Sequence, residues 1–237
     1  MLKFSFGNSK IILLAKYLNL PNKAVASFDL PAGFTCPAAL LCQSYSNRET
    51  GKITDGKSLQ FRCYAASSEG AFPSVRRLRW HNFDLLAKKS ISQMIAEIEV
   101  SLPIMVKVIR IHSSGDYFSK NYFQAWRMVA VTHPEIMFFG YSKILEYVQH
   151  SISNPLPNFK LVYSIGGKYD NLLTDEIPSI RVVENKEIAH SLNLSVSCDI
   201  HPADDYDYII NGKSFAIALH GTQPAGKYKG YSNKDKH

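Results

Sequence analysis

The sequence predicts an α/β protein built on a parallel sheet, either an incomplete (β/α) barrel or an open doubly wound sheet. From Pro103 onward, segments rich in β-branched and aromatic residues alternate with segments of helical periodicity, a pattern typical of parallel strands joined by helical crossovers. Most of these strand segments are apolar until their last residue and polar immediately after it. The chain has 237 residues, 46% of them apolar, which is enough for a sizeable core and excludes a wholly disordered protein.

The predicted elements follow in regular order after Asn82. Asn82 is the predicted N-cap of a helix that runs to Leu102, and Pro103 ends it. The next predicted elements are a strand over Ile104–Ile111, a helix over Tyr122–Thr132, a strand over Ile136–Tyr141, a helix over Ser142–His150, strands over Phe159–Ile165 and Ile180–Val183, a helix over Asn185–Ser191 and a strand over Leu194–Cys198. Asn211-Gly212 is a strong turn signal between Tyr208–Ile210 and Ser214–Leu219, so we predict a C-terminal β-hairpin there.

The two ends of the chain differ from this regular part. The first 80 residues are predicted to be irregular, because Pro21-Asn22, Pro31-Ala32-Gly33 and Thr54-Asp55-Gly56 are turn signals. With no internal repeat and no linker, residues 1–226 are interpreted as a single α/β domain. Residues 227–237 have four lysines and little to bury, which predicts a disordered basic tail.

Charge is unevenly distributed along the chain. The 27 Lys and Arg residues exceed the 20 Asp and Glu residues by seven, but Asp170–Asn211 alone carries −7 and the remainder +14. Arg62–Lys89 has six basic residues against two acidic ones. Such clustering suits a polyanion, so we predict that Arg76, Arg77 and Arg79 bind nucleic acid. An ordinary solvated helix face is the alternative interpretation.

Apolar runs are short throughout the sequence. None approaches the ~20 residues of a membrane span, and Ile11–Leu14 is too short for a signal peptide. We therefore expect a cytoplasmic protein with no membrane partner. In that compartment cysteines are more often thiols or metal ligands than disulfides.

Polar residues at the predicted strand ends define a candidate site, because ligands of parallel α/β sheets bind at the carboxyl ends of the strands. We predict His112 and His220 as candidate bases and Asp116 as the group that orients a base or acts as a second one. Lys143 is predicted to bind an anion. The other predicted binding residues are Ser114, Tyr141 and Ser164. A turn that merely caps the next helix is the alternative interpretation of residues 112–116.

The four cysteines are the second candidate for chemistry. Cys36, Cys42 and Cys63 fall in the irregular N-terminal stretch, and Cys198 ends a predicted strand. Thiolates that converge from irregular backbone are typical of iron–sulfur and zinc sites, so we predict an iron–sulfur cluster held by these four residues, with zinc as the alternative metal. The spacing matches neither the Cys-x₂-Cys pairs of zinc sites nor the Cys-x₃-Cys-x₂-Cys triplet of radical S-adenosylmethionine enzymes. Small buried apolar residues or a disulfide are the other interpretations.

Six short blocks form a recognisable set. They are Phe28-Asp-Leu-Pro-Ala-Gly-Phe-Thr-Cys-Pro, Arg62-Cys-Tyr-Ala-Ala, Arg79-Trp-His-Asn-Phe83, Ile111-His-Ser-Ser-Gly-Asp-Tyr-Phe118, Tyr141-Ser-Lys143 and His220-Gly-Thr-Gln-Pro224. Together these blocks resemble the phage gene-product-88-like family of phage and plasmid proteins. The resemblance implies a mobile-element origin and a cytoplasmic location, but no particular reaction.

The layout also resembles, more remotely, a radical S-adenosylmethionine barrel. In that family a Gly-Gly-Glu-Pro-like loop follows the second strand, and Ser114-Gly115-Asp116 would take its place here. The resemblance implies S-adenosylmethionine as a cofactor. A fourth cysteine ligand would fill the coordination position which that molecule needs, and this argues against it.

Taken together, these features favour a metal-binding, barrel-like protein of mobile-element origin. If it is an enzyme, we expect it to act on a nucleotide or nucleic acid, because the basic segment Arg62–Lys89 adjoins Cys63. Two interpretations of other classes stay open. One is a non-enzymatic nucleic-acid-binding protein with a structural metal, and the other is a host-interaction protein with neither metal nor nucleic acid.

Overall fold

A six-stranded parallel sheet is the main element of the computed structural model, which describes residues 1–196, 204–219 and 222–224. The strands of the chain are β1 (Val25–Phe28), β2 (Ser44–Ser46), β3 (Ile53–Asp55), β4 (Val108–Ile111), β5 (Met137–Ser142), β6 (Phe159–Ser164), β7 (Ser179–Val183) and β8 (Phe215–Ala218). The helices are α1 (Ser9–Tyr17), α2 (Tyr64–Ala71), α3 (Pro73–Leu86), α4 (Ile91–Ser101), α5 (Lys120–Thr132), α6 (Leu145–Ser153), α7 (Lys186–Ser191) and α8 (Asp204–Ile210).

The strand order of the large sheet is β1-β4-β5-β6-β7-β8, and every neighbouring pair is parallel. This order follows the chain without reversal, and the sheet curls as a half-barrel. A doubly wound sheet needs a reversal of strand order, so of the two predicted forms the incomplete barrel is the one observed. The predicted α/β class is confirmed. Strands β2 and β3 form a separate antiparallel pair.

Helices α4, α5 and α6 cover the outer face of the sheet. Helix α4 begins at a capping box formed by Ser90 and Gln93, and α5 begins where the Ser119 hydroxyl accepts a hydrogen bond from a backbone N–H in its first turn. The apolar stripe of α5, which includes Trp126, is fully buried against outward-facing strand residues such as Phe28 and Phe138. The largest apolar cluster of the fold therefore lies on this side.

Helices α1 and α8 cover part of the inner face. Ile11 and Leu14 of α1 and Ile209 of α8 pack with strand residues such as Val108 and Phe215. These two helices contribute to a second apolar cluster on the inner face. Among the residues described, no helix combines the length and the apolarity needed to cross a membrane.

The N-terminal region is more regular than the sequence predicts. Strand β1 was not predicted, because its four residues are all buried and show no alternation; its pairing with β4 makes it a strand. The predicted N-cap at Asn82 is wrong, since α3 begins at Pro73 and Asn82 lies within it, bonded through its amide to the backbone of Lys3. The single helix predicted from Asn82 to Leu102 is in fact divided, because residues 87–90 separate α3 from α4. The strand predicted over 104–111 begins only at Val108.

The predicted C-terminal hairpin is wrong. Asn211-Gly212 is indeed a turn, with Gly212 at φ +61°, but it ends helix α8, and β8 pairs in parallel with β7. A turn signal marks where the chain changes direction, not what precedes it, and glycine is equally favoured after a helix. Of the strand predicted over 194–198, Val196 forms one bridge to Ala216, and residues 197 and 198 lie outside the described part of the chain, as does the predicted tail over 227–237.

Candidate functional site

A cavity of about 360 Å³ opens at the carboxyl ends of the inner strands. We call it the strand-end cavity. It brings together nine of the residues predicted from sequence: Cys36, Cys42, Cys63, His112, Ser114, Asp116, Tyr141, Lys143 and Ser164. Two further predicted residues, Cys198 and His220, lie outside the described residues. The rule that ligands bind at strand ends thus located the cavity, and the three described cysteines line the same cavity.

The segment after β1 carries the first two cysteines across the mouth of the barrel. Backbone hydrogen bonds hold it on both sides: the Leu30 N–H donates to the Ser114 carbonyl at 3.0 Å, and the Leu40 and Leu41 N–H groups donate to the Gly166 carbonyl. Gly115 allows the close approach, because it has φ +86° and a Cβ there would lie 2.6 Å from Thr35 Oγ1. The loop after β4 and the cysteine segment are therefore packed as one unit.

The three described thiols are partly buried, and none is in a disulfide. Burial raises the pKa of the Cys36 thiol well above its ordinary value, with further contributions from Asp116 and from the other two thiols. Burial likewise raises the pKa of Cys63 to about 11, and Cys42 adds to the shift. The thiols are thus near enough to influence one another electrostatically. No three His, Cys, Asp or Glu side chains within the described ranges are arranged to hold a metal ion, so the metal site stays a prediction.

His112 is buried in an apolar and aromatic environment. Its Nε2 lies 3.0 Å from the Tyr122 hydroxyl, and its ring packs edge-on against Tyr117. Burial alone lowers its pKa to about 3, so the imidazole is neutral at physiological pH. A group with so low a pKa is a weak base, and this environment disfavours the predicted role of His112 as a general base. Its φ of +67° is unusual for a residue with a side chain.

Asp116 connects the loop after β4 to the end of β5. Its Oδ1 accepts hydrogen bonds from the Ser142 hydroxyl and the Tyr117 N–H, both at 2.8 Å, and its Oδ2 accepts from the Lys143 N–H at 2.9 Å. Burial raises the pKa of this carboxyl, while these three donors act in the opposite direction. The arrangement suits a residue that positions two loops beside the cavity.

Lys143 connects β5 to β6. Its Nζ donates to the Ser164 carbonyl at 3.0 Å, to the Ser164 hydroxyl at 2.9 Å and to the Ile165 carbonyl at 2.8 Å. An ammonium group has three N–H donors, and all three are used here. The predicted role of Lys143 as an anion binder is therefore disfavoured, and the Ser164 hydroxyl accepts one of these three hydrogen bonds.

A buried ion pair that the sequence analysis did not predict holds together segments that border the cavity. Glu69 and Arg79 are 1% and 5% exposed, and Arg79 Nη1 donates to Glu69 Oε1 at 2.9 Å. The same oxygen accepts from the Ala32 N–H at 2.8 Å and the Ser114 hydroxyl at 3.3 Å. The pair thus ties helices α2 and α3 to the cysteine segment and to the loop after β4. No local sequence pattern marks such a long-range pair.

The arginines predicted to bind nucleic acid have other partners. Arg76 is buried and donates to the backbone carbonyls of Arg48, Glu49 and Glu69, and Arg79 belongs to the buried pair. Of the three predicted residues, only Arg77 is exposed. Guanidinium groups that are buried and bonded to the protein do not form a polyanion-binding surface, so this placement does not fit the prediction.

Arg110 is a second residue that the prediction missed. It lies on β4, lines the strand-end cavity and is 6% exposed. Its guanidinium carbon is 5.1 Å from the centre of the Tyr141 ring, and the Tyr141 hydroxyl donates to Asp205 Oδ2 at 2.8 Å. The signal for Arg110 was present in the sequence, since it is the lone charged residue in the apolar strand Val108–Ile111.

Comparisons with known proteins agree with the family resemblance. Residues 2–233 match the family model described as Gene product 88. The Gene 88 protein of Mycobacterium phage L5 is 28% identical over 174 residues, which cover 68% of this chain and 63% of the relative. The Gene 88 protein of Mycobacterium phage D29 is 25% identical over 174 residues, which cover 68% of this chain and 62% of the relative. The chain therefore spans somewhat less than two thirds of these curated relatives, and no solved structure matches it. Because the family model covers nearly the whole sequence, the chain belongs to the Gene product 88 family.

Proposed function

We propose that this protein binds an iron–sulfur cluster through Cys36, Cys42 and Cys63, with Cys198 as the fourth candidate thiol, and acts on a nucleotide-sized ligand in the strand-end cavity. The observation that carries the proposal is that three thiols of the N-terminal region line this cavity. Soft thiol donors on irregular backbone are the usual ligands of iron–sulfur clusters. Zinc is the alternative metal for the same thiols.

The chemistry of the donors supports the fit. Cys63 is the N-cap residue of α2 and makes no side-chain capping bond, and Cys36 and Cys42 lie in the segment clamped over the strand ends. Their side chains would have to turn toward a common centre to hold a metal, since as they stand the described residues form no such group. A bound cluster would supply electron transfer or an open iron site next to the cavity.

The residues of the chain itself hold and shape the ligand space. The pair of Glu69 and Arg79 fixes the cysteine segment against the loop after β4, and Asp116 and Lys143 fix the ends of β5 and β6. Each of these contacts is buried or partly buried, so the wall of the cavity is preorganised. A volume of about 360 Å³ lies within the range of small-molecule sites and is small for a nucleic-acid duplex.

Metal analysis of the anaerobically purified full chain tests the proposal. We expect a brown protein that absorbs at about 400 nm and contains iron and acid-labile sulfide in the same preparation. Cys36→Ser, Cys42→Ser and Cys63→Ser are each expected to lower the iron content strongly. Gln60→Ser, at an exposed position close to Cys63 in the chain, is the control and should leave the iron content unchanged.

The outcomes separate the alternatives. Full iron content in Cys198→Ser would indicate that three thiols bind the cluster. Loss of iron in this variant would indicate four thiol ligands. If the protein contains zinc and no iron, the same thiols form a zinc site and not an iron–sulfur cluster. A colourless protein with neither metal, or iron that persists in all three N-terminal cysteine variants, would refute the proposal.

A further inference from the structure

We propose that Arg110 binds an oxyanion of the ligand, a phosphate or a carboxylate group, at the base of the strand-end cavity. The inference rests on the proposed function in one respect, because both place a ligand in this cavity. It does not depend on the presence of a metal.

The guanidinium of Arg110 lacks the hydrogen bonds that a buried arginine needs. Its Nε is completely buried and has no partner among the residues described. The nearest carboxylate contact joins Nη1 to Asp205 Oδ2 at 3.9 Å, which is too long for a hydrogen bond. An arginine has five N–H donors in a planar fork, and a buried donor without an acceptor is unfavourable. A ligand in the cavity would supply acceptors to the Nη N–H groups, since the completely buried Nε is closed to it.

The acidic residues around Arg110 are engaged with other donors. Asp205 Oδ2 accepts from Lys10 Nζ at 2.8 Å and from the Tyr141 hydroxyl at 2.8 Å. The carboxyl of Asp29 accepts from the Ser114 N–H at 3.1 Å and from the Ser27 hydroxyl at 3.2 Å. Neither carboxylate is placed for the two parallel hydrogen bonds that an arginine fork prefers. The protein thus holds the guanidinium in place without completing its hydrogen bonding.

The surroundings favour an anion rather than a neutral ligand. The ring of Tyr141 packs against the guanidinium, with the guanidinium carbon 5.1 Å from the ring centre, and a stacked arginine keeps its in-plane N–H groups available. Asn8, Ser9 and Lys10, which begin helix α1, line the same cavity, so the N-terminal end of that helix, where the helix dipole is positive, borders the ligand space. Lys143, the cation expected from sequence to bind an anion, has all its donors in use.

Isothermal titration of the full chain with inorganic phosphate, pyrophosphate and succinate tests the inference. We expect saturable binding of one class of probe, and the phosphate and carboxylate arms identify which oxyanion the site takes. Arg110→Gln is expected to weaken that binding by about 10- to 100-fold, the effect of a lost charge-assisted hydrogen bond. Arg77→Gln removes the same charge from an exposed position on α3 and should leave the affinity unchanged.

A crystal structure of the unaltered protein with the bound probe keeps the test valid if Arg110→Gln does not fold. We expect an oxygen of the probe to lie within hydrogen-bond distance of the Arg110 guanidinium. No saturable binding of any probe, equal affinity in Arg110→Gln, or a probe bound elsewhere than at Arg110 would overturn the inference.

The iron content of the same preparation separates this inference from the proposed function. If a metal-free protein binds the anionic probe and this binding requires Arg110, the inference stands and the proposed cluster is contradicted. If the N-terminal cysteines bind iron but no probe binds, the proposed cluster stands and the inference is overturned.

Discussion

The buried imidazole of His112 makes a defined part of the stability of the fold dependent on pH. Burial lowers its pKa from 6.5 to about 3, and its neighbours Tyr117 and Tyr122 offer no charge that would favour the protonated form. In the unfolded chain the imidazole has its ordinary pKa. The unfolded state therefore binds more protons than the native state between about pH 6.5 and about pH 3, so the stability from neutral His112 is present above that window and is lost as pH falls through it.

The size of the effect follows from the two pKa values. Within the window each pH unit changes the unfolding free energy by about 1.4 kcal/mol, and the change begins gradually around the unfolded pKa. Between pH 7 and pH 5 the contribution of His112 is therefore expected to fall by about 2 kcal/mol. This is a large share of the net stability of a domain.

Urea denaturation of the native protein and of His112→Asn at a series of pH values measures this contribution. Asparagine does not titrate in this range and tolerates the positive φ of +67° at this position. Carboxyl groups elsewhere titrate in both proteins, so the difference between them isolates the imidazole. We expect this difference to shrink by about 2 kcal/mol from pH 7 to pH 5. A difference between native protein and His112→Asn that is the same at both pH values would refute the reasoning.

Other contacts around the cavity give predictions for stability and dynamics. Glu69→Ala leaves the guanidinium of Arg79 buried without its carboxylate and is expected to lower the unfolding free energy by about 3–5 kcal/mol, measured by chemical denaturation. Asp84→Ala breaks an exposed ion pair of helix α3 and should lower the unfolding free energy by less than about 1 kcal/mol. Equal losses of unfolding free energy in the two variants would contradict the importance of burial. Gly115→Ala forces a side chain into φ +86° and against the cysteine segment, so a loss of at least about 1–2 kcal/mol is expected, and an unchanged thermal midpoint would argue against that packing. Lys143→Met removes three hydrogen bonds between β5 and β6 and is expected to speed amide hydrogen exchange in residues 164–167, whereas unchanged protection there would show that the contacts do not hold the loop.

Local patterns in the sequence were sufficient for the elements in the middle of the chain. The helix predicted over 122–132 is α5 (Lys120–Thr132), and the strand predicted over 159–165 is β6 (Phe159–Ser164). Periodicity and apolar content report which side of an element is buried, and these segments are long or apolar enough for that signal to be clear. Strand β1 and the parallel pairing of β8 left no such signal, because both depend on partners far away in the chain.

The same division holds for the candidate site. The order of strands and the polar residues after them predicted, from sequence alone, a site at the strand ends and six of the residues that line the cavity there. Only the tertiary structure decided what each residue does there: Lys143 is occupied by backbone carbonyls, Arg79 by a buried carboxylate, and Arg110 is left with open donors. The physical reason is that the periodicity of a chain encodes burial locally, whereas the partners of a buried charge are set by residues that folding brings together from distant positions.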